Sequence, residues 1–243
     1  PEVQAVRDFI IGKNIKTYFN MHTYQNALLY PWGYIDAQTP DSAVYFEYAS
    51  DICSYNNYAF GTGSEILGYN SNGASRDWLY GDQVLKNKIF GYTIEIGSSS
   101  DGFWPAQNRI FPLAQINVKS MLYNTWVAGE YVKLENANFA QQYFNPGDVV
   151  QLTPAFKNKG QSTGYNISVQ LTSLSPFANV VNGTALFDSI QSRNSASVTS
   201  PMSFSISGTA PLEENIKLLM AVSTNGAVMS VDTIRIIIGI PNY

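Results

Sequence analysis

The sequence contains few of the residues on which disulfides, metal sites and nucleic-acid binding depend. Its 243 residues include one cysteine and one histidine, and only 13% of them are charged. A single cysteine, Cys53, excludes an intrachain disulfide. The formal net charge of −4 and the lack of a basic cluster argue against a nucleic-acid partner, because such binding needs Lys and Arg to neutralise phosphates.

Long apolar runs are also missing, and we predict no transmembrane segment because no stretch of about 18 apolar residues occurs. Hydrophobic residues make up 45% of the chain, which suffices for one large domain or two ordinary ones. Low charge with abundant Tyr, Asn and Ser is typical of exported proteins, so we expect a secreted or cell-surface bacterial protein. The chain starts at Pro1 without an initiator methionine or a signal-peptide pattern, and we interpret it as the continuation of a longer protein.

The periodicity of apolar residues changes along the chain and predicts two kinds of structure. The first part mixes helical spacing with short, nearly continuous apolar runs, which is typical of an α/β unit whose sheet is covered on both faces. The predicted elements are helices over residues 1–12, 41–57, 75–82 and 112–123, strands over residues 15–21 and 88–96, and a loop over residues 61–74.

The second part has alternating apolar residues between turn signals such as Asn182-Gly183 and Asn225-Gly226. Several short strands at regular spacing, without helices, predict an all-β sandwich of immunoglobulin type. We therefore predict an α/β domain over residues 1–130, a linker over residues 131–146 and a β-sandwich domain over residues 147–243.

Three residues of the first part form a candidate hydrolase site. His22 follows the first predicted strand, Glu95 ends the second, and Tyr69 lies in a loop rich in Gly and Asn. The carboxyl ends of strands are where α/β sheets place ligands and catalytic groups. A metal ligand, a carboxylate base and a mobile phenol are compatible with hydrolysis. A metal site needs several protein ligands, however, and the chain has no second histidine.

Four segments, in order and spacing, resemble the C-terminal half of the zinc carboxypeptidase family, the carboxypeptidase A/B-like metallopeptidases. The resemblance covers the first 130 positions. The segments are HTYQ and LYPWGY within residues 22–34, GYNSNGASRDW at 68–78, FGYTIE at 90–95, and GFWP with IFP within 102–112. The resemblance implies the corresponding part of the family's mixed sheet with helices, followed here by the predicted sandwich.

The resemblance also implies roles for individual residues. His22 would be a zinc ligand, Glu95 the general base, and Tyr69 a group that closes over the bound C-terminal residue of a peptide. Arg76 lies where the family places the bottom of the side-chain pocket, and a guanidinium there favours an acidic C-terminal residue. By the same mapping, the pocket is lined by Leu29, Gly33 and Thr93, and the neighbouring subsite is bordered by Thr23 and Tyr24.

The sequence departs from the family in two ways. The family's His-x-x-Glu ligand pair and its carboxylate-binding arginines precede the segments found here, and this chain contains neither. One imidazole does not hold catalytic zinc. We therefore expect a metallocarboxypeptidase acting on peptide or protein C-termini whose site is completed by a missing N-terminal half of the same domain, and an inactive chain without that half.

Structural explanations remain open beside the functional ones. His22 could be an ordinary loop histidine, Glu95 a solvent-facing strand end, Tyr69 one of 16 tyrosines, and Arg76 an arginine on the surface or paired with Asp77. The whole chain could then be a non-catalytic binding or structural module of a secreted cell-surface protein, attached to a surface or glycan through its sandwich. The sandwich could also be only a stabilising spacer.

Overall fold

The computed structural model describes residues 1–239. They fall into two compact units, which divide between Ala128 and Gly129. The helices of the first unit are α1 (Glu2–Ile10), α2 (Ser42–Cys53), α3 (Gly63–Leu67), α4 (Ser75–Gly81) and α5 (Gln107–Trp126). Its strands are β1 (Thr17–His22), β2 (Ala27–Leu29), β3 (Ala59–Gly61) and β4 (Phe90–Glu95).

The sheet of the first unit has the strand order β1-β4-β2-β3. Strand β4 is parallel to β1 and antiparallel to β2, and β2 is parallel to β3. The first five residues of β4 are buried, as expected for a strand covered on both faces. The prediction of an α/β unit is therefore confirmed, and its sheet is mixed.

Aromatic packing fixes α2 against the centre of this sheet. The ring of Tyr45 on α2 is fully buried and lies 5.1 Å from the ring of Phe90 and 5.3 Å from that of Tyr92, both on β4. It also stacks on Tyr30, just after β2, at 5.5 Å. Because this cluster joins one helix to two strands, it holds the strand ends that carry the candidate site.

Four elements differ from the sequence-based expectations. The predicted loop over residues 61–74 contains α3, which begins with a capping box between Thr62 and Glu65. Strands β2 and β3 have three residues each, too few for a visible alternation. Helix α5 starts at Gln107 rather than at residue 112, and it accommodates Pro112 in its second turn, where only one helical hydrogen bond is lost.

The second unit is all β. Its strands are β5 (Val132–Asn136), β6 (Val149–Leu152), β7 (Ala155–Asn158), β8 (Gly164–Ser173), β9 (Ala178–Asn182), β10 (Thr184–Ile190), β11 (Ser195–Ser197), β12 (Met202–Ile206), β13 (Asn215–Thr224) and β14 (Ala227–Ile237). They form antiparallel sheets with the orders β10-β8-β13-β14, β11-β7-β5 and β6-β12-β9.

One hydrophobic core joins the strands of the second unit. Its fully buried members include Phe144, Phe156, Phe204, Leu218 and Met220. Alternating burial along β12 and β13 shows that one face of each strand supplies this core. Residues 131–146, expected to be a linker, contain β5, which pairs with β7, and the buried Phe144.

Candidate active site

The register of the sheet brings His22 and Glu95 together. In the parallel pair of β1 and β4, His22 lies opposite Glu95, at the carboxyl ends of both strands. Two residues earlier on both of these strands, Thr93 lies between Asn20 on β1 and Leu29 on β2. Side chains two residues apart on a strand point to the same face. These residues therefore line one wall of a cleft of about 1010 Å³.

A glycine lets helix α4 approach the same face of the sheet. A Cβ atom added to Gly91 of β4 would lie 2.9 Å from Leu79 Cδ1 and 3.2 Å from the Cα of Arg76. Only the bare backbone of glycine leaves room for this contact. The approach brings Arg76, at the start of α4, next to Thr93, whose hydroxyl accepts a hydrogen bond from Arg76 Nη1 at 3.3 Å.

The guanidinium of Arg76 is buried and largely unpaired. The residue is 4% exposed, and its Nε and Nη2 atoms have no hydrogen-bond partner among the described residues. Burial lowers the pKa of Arg76 from its ordinary value, opposed by the charges of Asp77 and Glu95. Unsatisfied buried donors are rare and costly. In a cleft, they are suited to binding the carboxylate of a ligand.

Asp77 holds the loop after β2 in place through backbone hydrogen bonds. Its carboxylate accepts hydrogen bonds from the backbone nitrogen of Gly33, at 2.9 and 3.0 Å, and from that of Tyr34 at 3.1 Å. The sequence alone did not predict that Asp77 binds this loop. The contact joins residues 44 positions apart, and the only local signal was the Asp-Trp pair that follows Arg76.

Substituting Gly33 tests how tightly the loop encloses Arg76. A Cβ atom at Gly33 would lie 2.5 Å from Arg76 Nη2 and 3.2 Å from an Asp77 carboxylate oxygen. We expect Gly33→Ala to displace the guanidinium and to lower the free energy of unfolding by about 1–3 kcal/mol, as overpacking does. Gly208→Ala is the matched control, because nothing lies within 4 Å of its Cβ position. Denaturant unfolding of both variants measures the difference; equal stabilities would contradict the close packing.

Glu95 has the electrostatic character of a base. Burial raises its pKa above the ordinary carboxyl value, and the charges of His22 and Arg76 oppose this rise. A carboxylate with a raised pKa accepts a proton more readily near neutral pH. Ionisable groups in clefts whose pKa values are shifted by burial are candidates for catalysis.

The raised pKa of Glu95 has a consequence for stability. The folded state favours the protonated form of Glu95. The contribution of Glu95 to the free energy of unfolding is therefore fully present below its pKa in the unfolded chain, and it is lost as the pH rises through its higher pKa in the folded protein. A neutral Gln side chain does not carry the cost of burying an ionised carboxylate. We expect Glu95→Gln to raise the melting temperature at about pH 7 and to lose that advantage at about pH 4. Calorimetry at both values measures it; a pH-independent difference would contradict the burial argument.

The structure brings six of the nine predicted site residues to the cleft. His22, Leu29, Tyr69, Arg76, Thr93 and Glu95 line it, and Gly33 lies behind Arg76. Tyr69 is 61% exposed and follows the left-handed Gly68 that ends α3. Its phenol is therefore at the rim of the cleft.

Thr23 and Tyr24 are not among the residues that line the cleft. They contact the loop after β4. The hydroxyl of Thr23 donates a hydrogen bond to the carbonyl of Phe103 at 3.3 Å, and the ring of Tyr24 meets that of Phe103 edge-on at 4.8 Å. Asp101, bonded to Arg109 Nε at 2.7 Å, ties this loop to α5.

The residues of this chain do not by themselves fit a zinc ion. Across residues 1–239, no three His, Cys, Asp or Glu side chains are grouped so that they could hold a metal. His22 and Glu95 form a pair, and protein zinc sites need at least three ligands. No helix within the same range is long and apolar enough to cross a membrane.

Residues 1–120 match the sequence model of the family described as zinc carboxypeptidase. Carboxypeptidase A1 of Rattus norvegicus is 31% identical over 134 residues, covering 52% of this chain and 29% of the relative. Carboxypeptidase B2 of the same species is 38% identical over 105 residues, covering 40% and 24%.

A third relative has a similar identity and coverage. The zinc carboxypeptidase of Saccharothrix mutabilis subsp. capreolus is 30% identical over 129 residues, covering 48% of this chain and 28% of the relative. The chain thus spans less than a third of the length of these curated relatives. Among solved structures, α2-macroglobulin of Escherichia coli has a TM-score of 0.34 at 13% identity, covering 48% of this chain and 17% of that one. A likeness of that size does not assign a fold.

Proposed function

We propose that this chain supplies part of the active site of a metallocarboxypeptidase, because residues 1–120 match the sequence model of the zinc carboxypeptidase family. The enzyme would remove C-terminal residues from peptides. One observation carries the proposal: His22 and Glu95 face each other in register and open onto the cleft that holds the unpaired Arg76.

Within this proposal each residue has a defined task. His22 is one ligand of a zinc ion whose other ligands come from outside this chain. Glu95 takes a proton from the attacking water and delivers it to the leaving amine. Tyr69, exposed at the rim next to the left-handed Gly68, closes over the bound C-terminal residue. Thr23 and Tyr24 border the neighbouring subsite.

The pocket selects an acidic C-terminal residue. A Glu or Asp side chain of the substrate would accept hydrogen bonds from Arg76 Nε and Nη2, which have no other partner among the described residues. The walls of the pocket are Leu29 and Thr93, and Gly33 leaves the guanidinium its space. A bidentate pair of this kind is strong because the donors are already desolvated and oriented.

The proposal also assigns the second unit, the missing part of the active site and the location of the complete protein. The second unit is an immunoglobulin-like sandwich, supported by its antiparallel sheets and single core. The site is completed by the N-terminal half of the peptidase domain, and residues 1–243 alone have no appreciable peptidase activity. The complete protein is secreted or displayed on a bacterial cell surface.

A second candidate is a non-catalytic binding module. The observation that favours it is the incomplete donor set, since no three possible metal ligands are grouped among the described residues. In that case the cleft and Arg76 bind an acidic group without turnover. The sequence upstream of Pro1 in the reading frame discriminates the two: a His-x-x-Glu pair there supports the enzyme, and its absence supports the binding module.

The direct test is peptide hydrolysis by the protein encoded by the complete reading frame, with residues 1–243 alone as the control. Peptides that differ only in a C-terminal Glu, Gln, Leu or Lys serve as substrates. We expect the complete protein to hydrolyse the Glu-ended peptide fastest and residues 1–243 to hydrolyse none. Equal rates for Glu and Lys would contradict the specificity, and chelator-sensitive turnover by residues 1–243 would contradict the incomplete site.

A further inference from the structure

The loop that borders the cleft contains an Asn-Gly pair, Asn72-Gly73. In such pairs the backbone nitrogen of the glycine can attack the asparagine amide, because glycine has no side chain to hinder the approach. Asparagine is for this reason one of the thermolabile residues of proteins. The sequence has three such pairs, Asn72-Gly73, Asn182-Gly183 and Asn225-Gly226.

The other two pairs are held by hydrogen bonds of the asparagine side chain. The amide nitrogen of Asn182 donates to the carbonyl of Pro201 at 2.8 Å. The amide oxygen of Asn225 accepts from the side chain of Asn166 at 2.8 Å, in the tight turn between β13 and β14. Rotation of either amide toward the following glycine would break these bonds, which slows the attack.

Asn72 is under no such restraint. Asn72 and Gly73 are both exposed and form a turn, and Gly73 has a φ of 77° with open space around its Cβ position. Among the described residues, neither the Asn72 side chain nor the Gly73 backbone nitrogen makes a hydrogen bond. Both reacting groups are therefore accessible and can rotate toward each other.

We propose that Asn72-Gly73 is a site of spontaneous modification that converts an amide on the cleft wall into a carboxylate. The Gly73 nitrogen attacks Asn72 Cγ, forming a C–N bond and a five-membered succinimide. The Cγ–Nδ2 bond breaks, and the amide nitrogen leaves as ammonia with the proton lost by Gly73. Water then opens the ring at either carbonyl and gives aspartate or isoaspartate.

The new carboxylate changes the charge of the cleft. Asn72 and Arg76 line the same cleft, and Tyr69 lies three residues before Asn72 in the same loop. A negative charge there repels an acidic ligand and attracts the Arg76 guanidinium. The modified protein therefore binds acidic C-terminal residues less tightly; this consequence, unlike the modification itself, rests on the proposed function.

Peptide mapping by mass spectrometry tests the modification directly. Residues 1–243 are incubated at mildly alkaline pH, and each Asn-Gly pair is followed for conversion of amide to acid and for isoaspartate. We expect the product at Asn72 to accumulate well before that at Asn182 or Asn225, and Asn72→Gln to abolish it. An unmodified Asn72, or faster conversion at either of the other pairs, would overturn the proposal.

A binding measurement tests the consequence. By NMR titration of residues 1–243, Asn72→Asp should bind a Glu-ended peptide about fivefold more weakly, as expected for a partly exposed charge, and a Gln-ended peptide unchanged. Equal affinities of Asn72→Asp and the parent for the Glu-ended peptide would overturn the effect on the cleft. If the parent itself does not prefer Glu over Gln, the proposed specificity fails, while the mass data still decide the modification.

Discussion

Replacement of Glu95 by Gln in the complete enzyme is expected to lower kcat/KM by about 10²- to 10⁴-fold, the usual contribution of a positioned general base. The reason is that Gln keeps the size of the side chain and one acceptor oxygen but cannot take the proton that the raised pKa of Glu95 allows it to accept. Steady-state hydrolysis of a Glu-ended peptide measures the loss.

The control for this prediction is Glu135→Gln, the same change at an exposed position of β5. It should leave kcat/KM unchanged. The melting temperature of Glu95→Gln at neutral pH should not fall, since burial disfavours the charge of Glu95. An active Glu95→Gln enzyme would show that Glu95 is only the buried end of a strand, and a misfolded variant would contradict the electrostatic argument.

Replacement of Arg76 by Met should have opposite effects on specificity and stability. Met has a similar length but no charge, so hydrolysis of a Glu-ended peptide should fall about 100-fold, the value of two charge-assisted hydrogen bonds, while a Leu-ended peptide is not slowed. The free energy of unfolding of residues 1–243 should rise by about 1 kcal/mol or more, because a buried and largely unpaired guanidinium is removed.

Two further variants separate charge from geometry. Arg76→Lys keeps the charge without the planar fork and should retain only part of the preference for Glu. Arg235→Met removes an exposed arginine of the second unit and should change neither property. Loss of stability in Arg76→Met together with an unchanged substrate preference would mean that Arg76 serves packing alone.

The parts of the site that the sequence predicted are those that depend on local pattern and strand order. His22 and Glu95 each end an apolar strand, and parallel pairing then places them opposite each other. Helix α4 begins at Ser75, as predicted, and Arg76 on this helix donates a hydrogen bond to Thr93, which the resemblance assigned to the same pocket. These inferences needed only periodicity, chain order and the resemblance of four segments.

The parts that were missed depend on contacts distant in sequence or on very short elements. The hydrogen bonds from Gly33 to Asp77 join two segments that no local pattern connects. Helix α3 was predicted as a loop because its five residues are too few for a visible period, although the Thr62-x-x-Glu65 capping box was present. The pairing of β5 with β7 likewise draws the expected linker into the second unit.

The central claim is that His22 is one ligand of a zinc site that sequence outside this chain completes. Elemental analysis after dialysis tests it on three proteins: residues 1–243, the product of the complete reading frame, and its His22→Ala variant. We expect one equivalent of zinc in the complete protein and none in the other two, since a site that loses one of its few ligands no longer retains the metal. Zinc retained by His22→Ala, or absent from the complete protein, would contradict it.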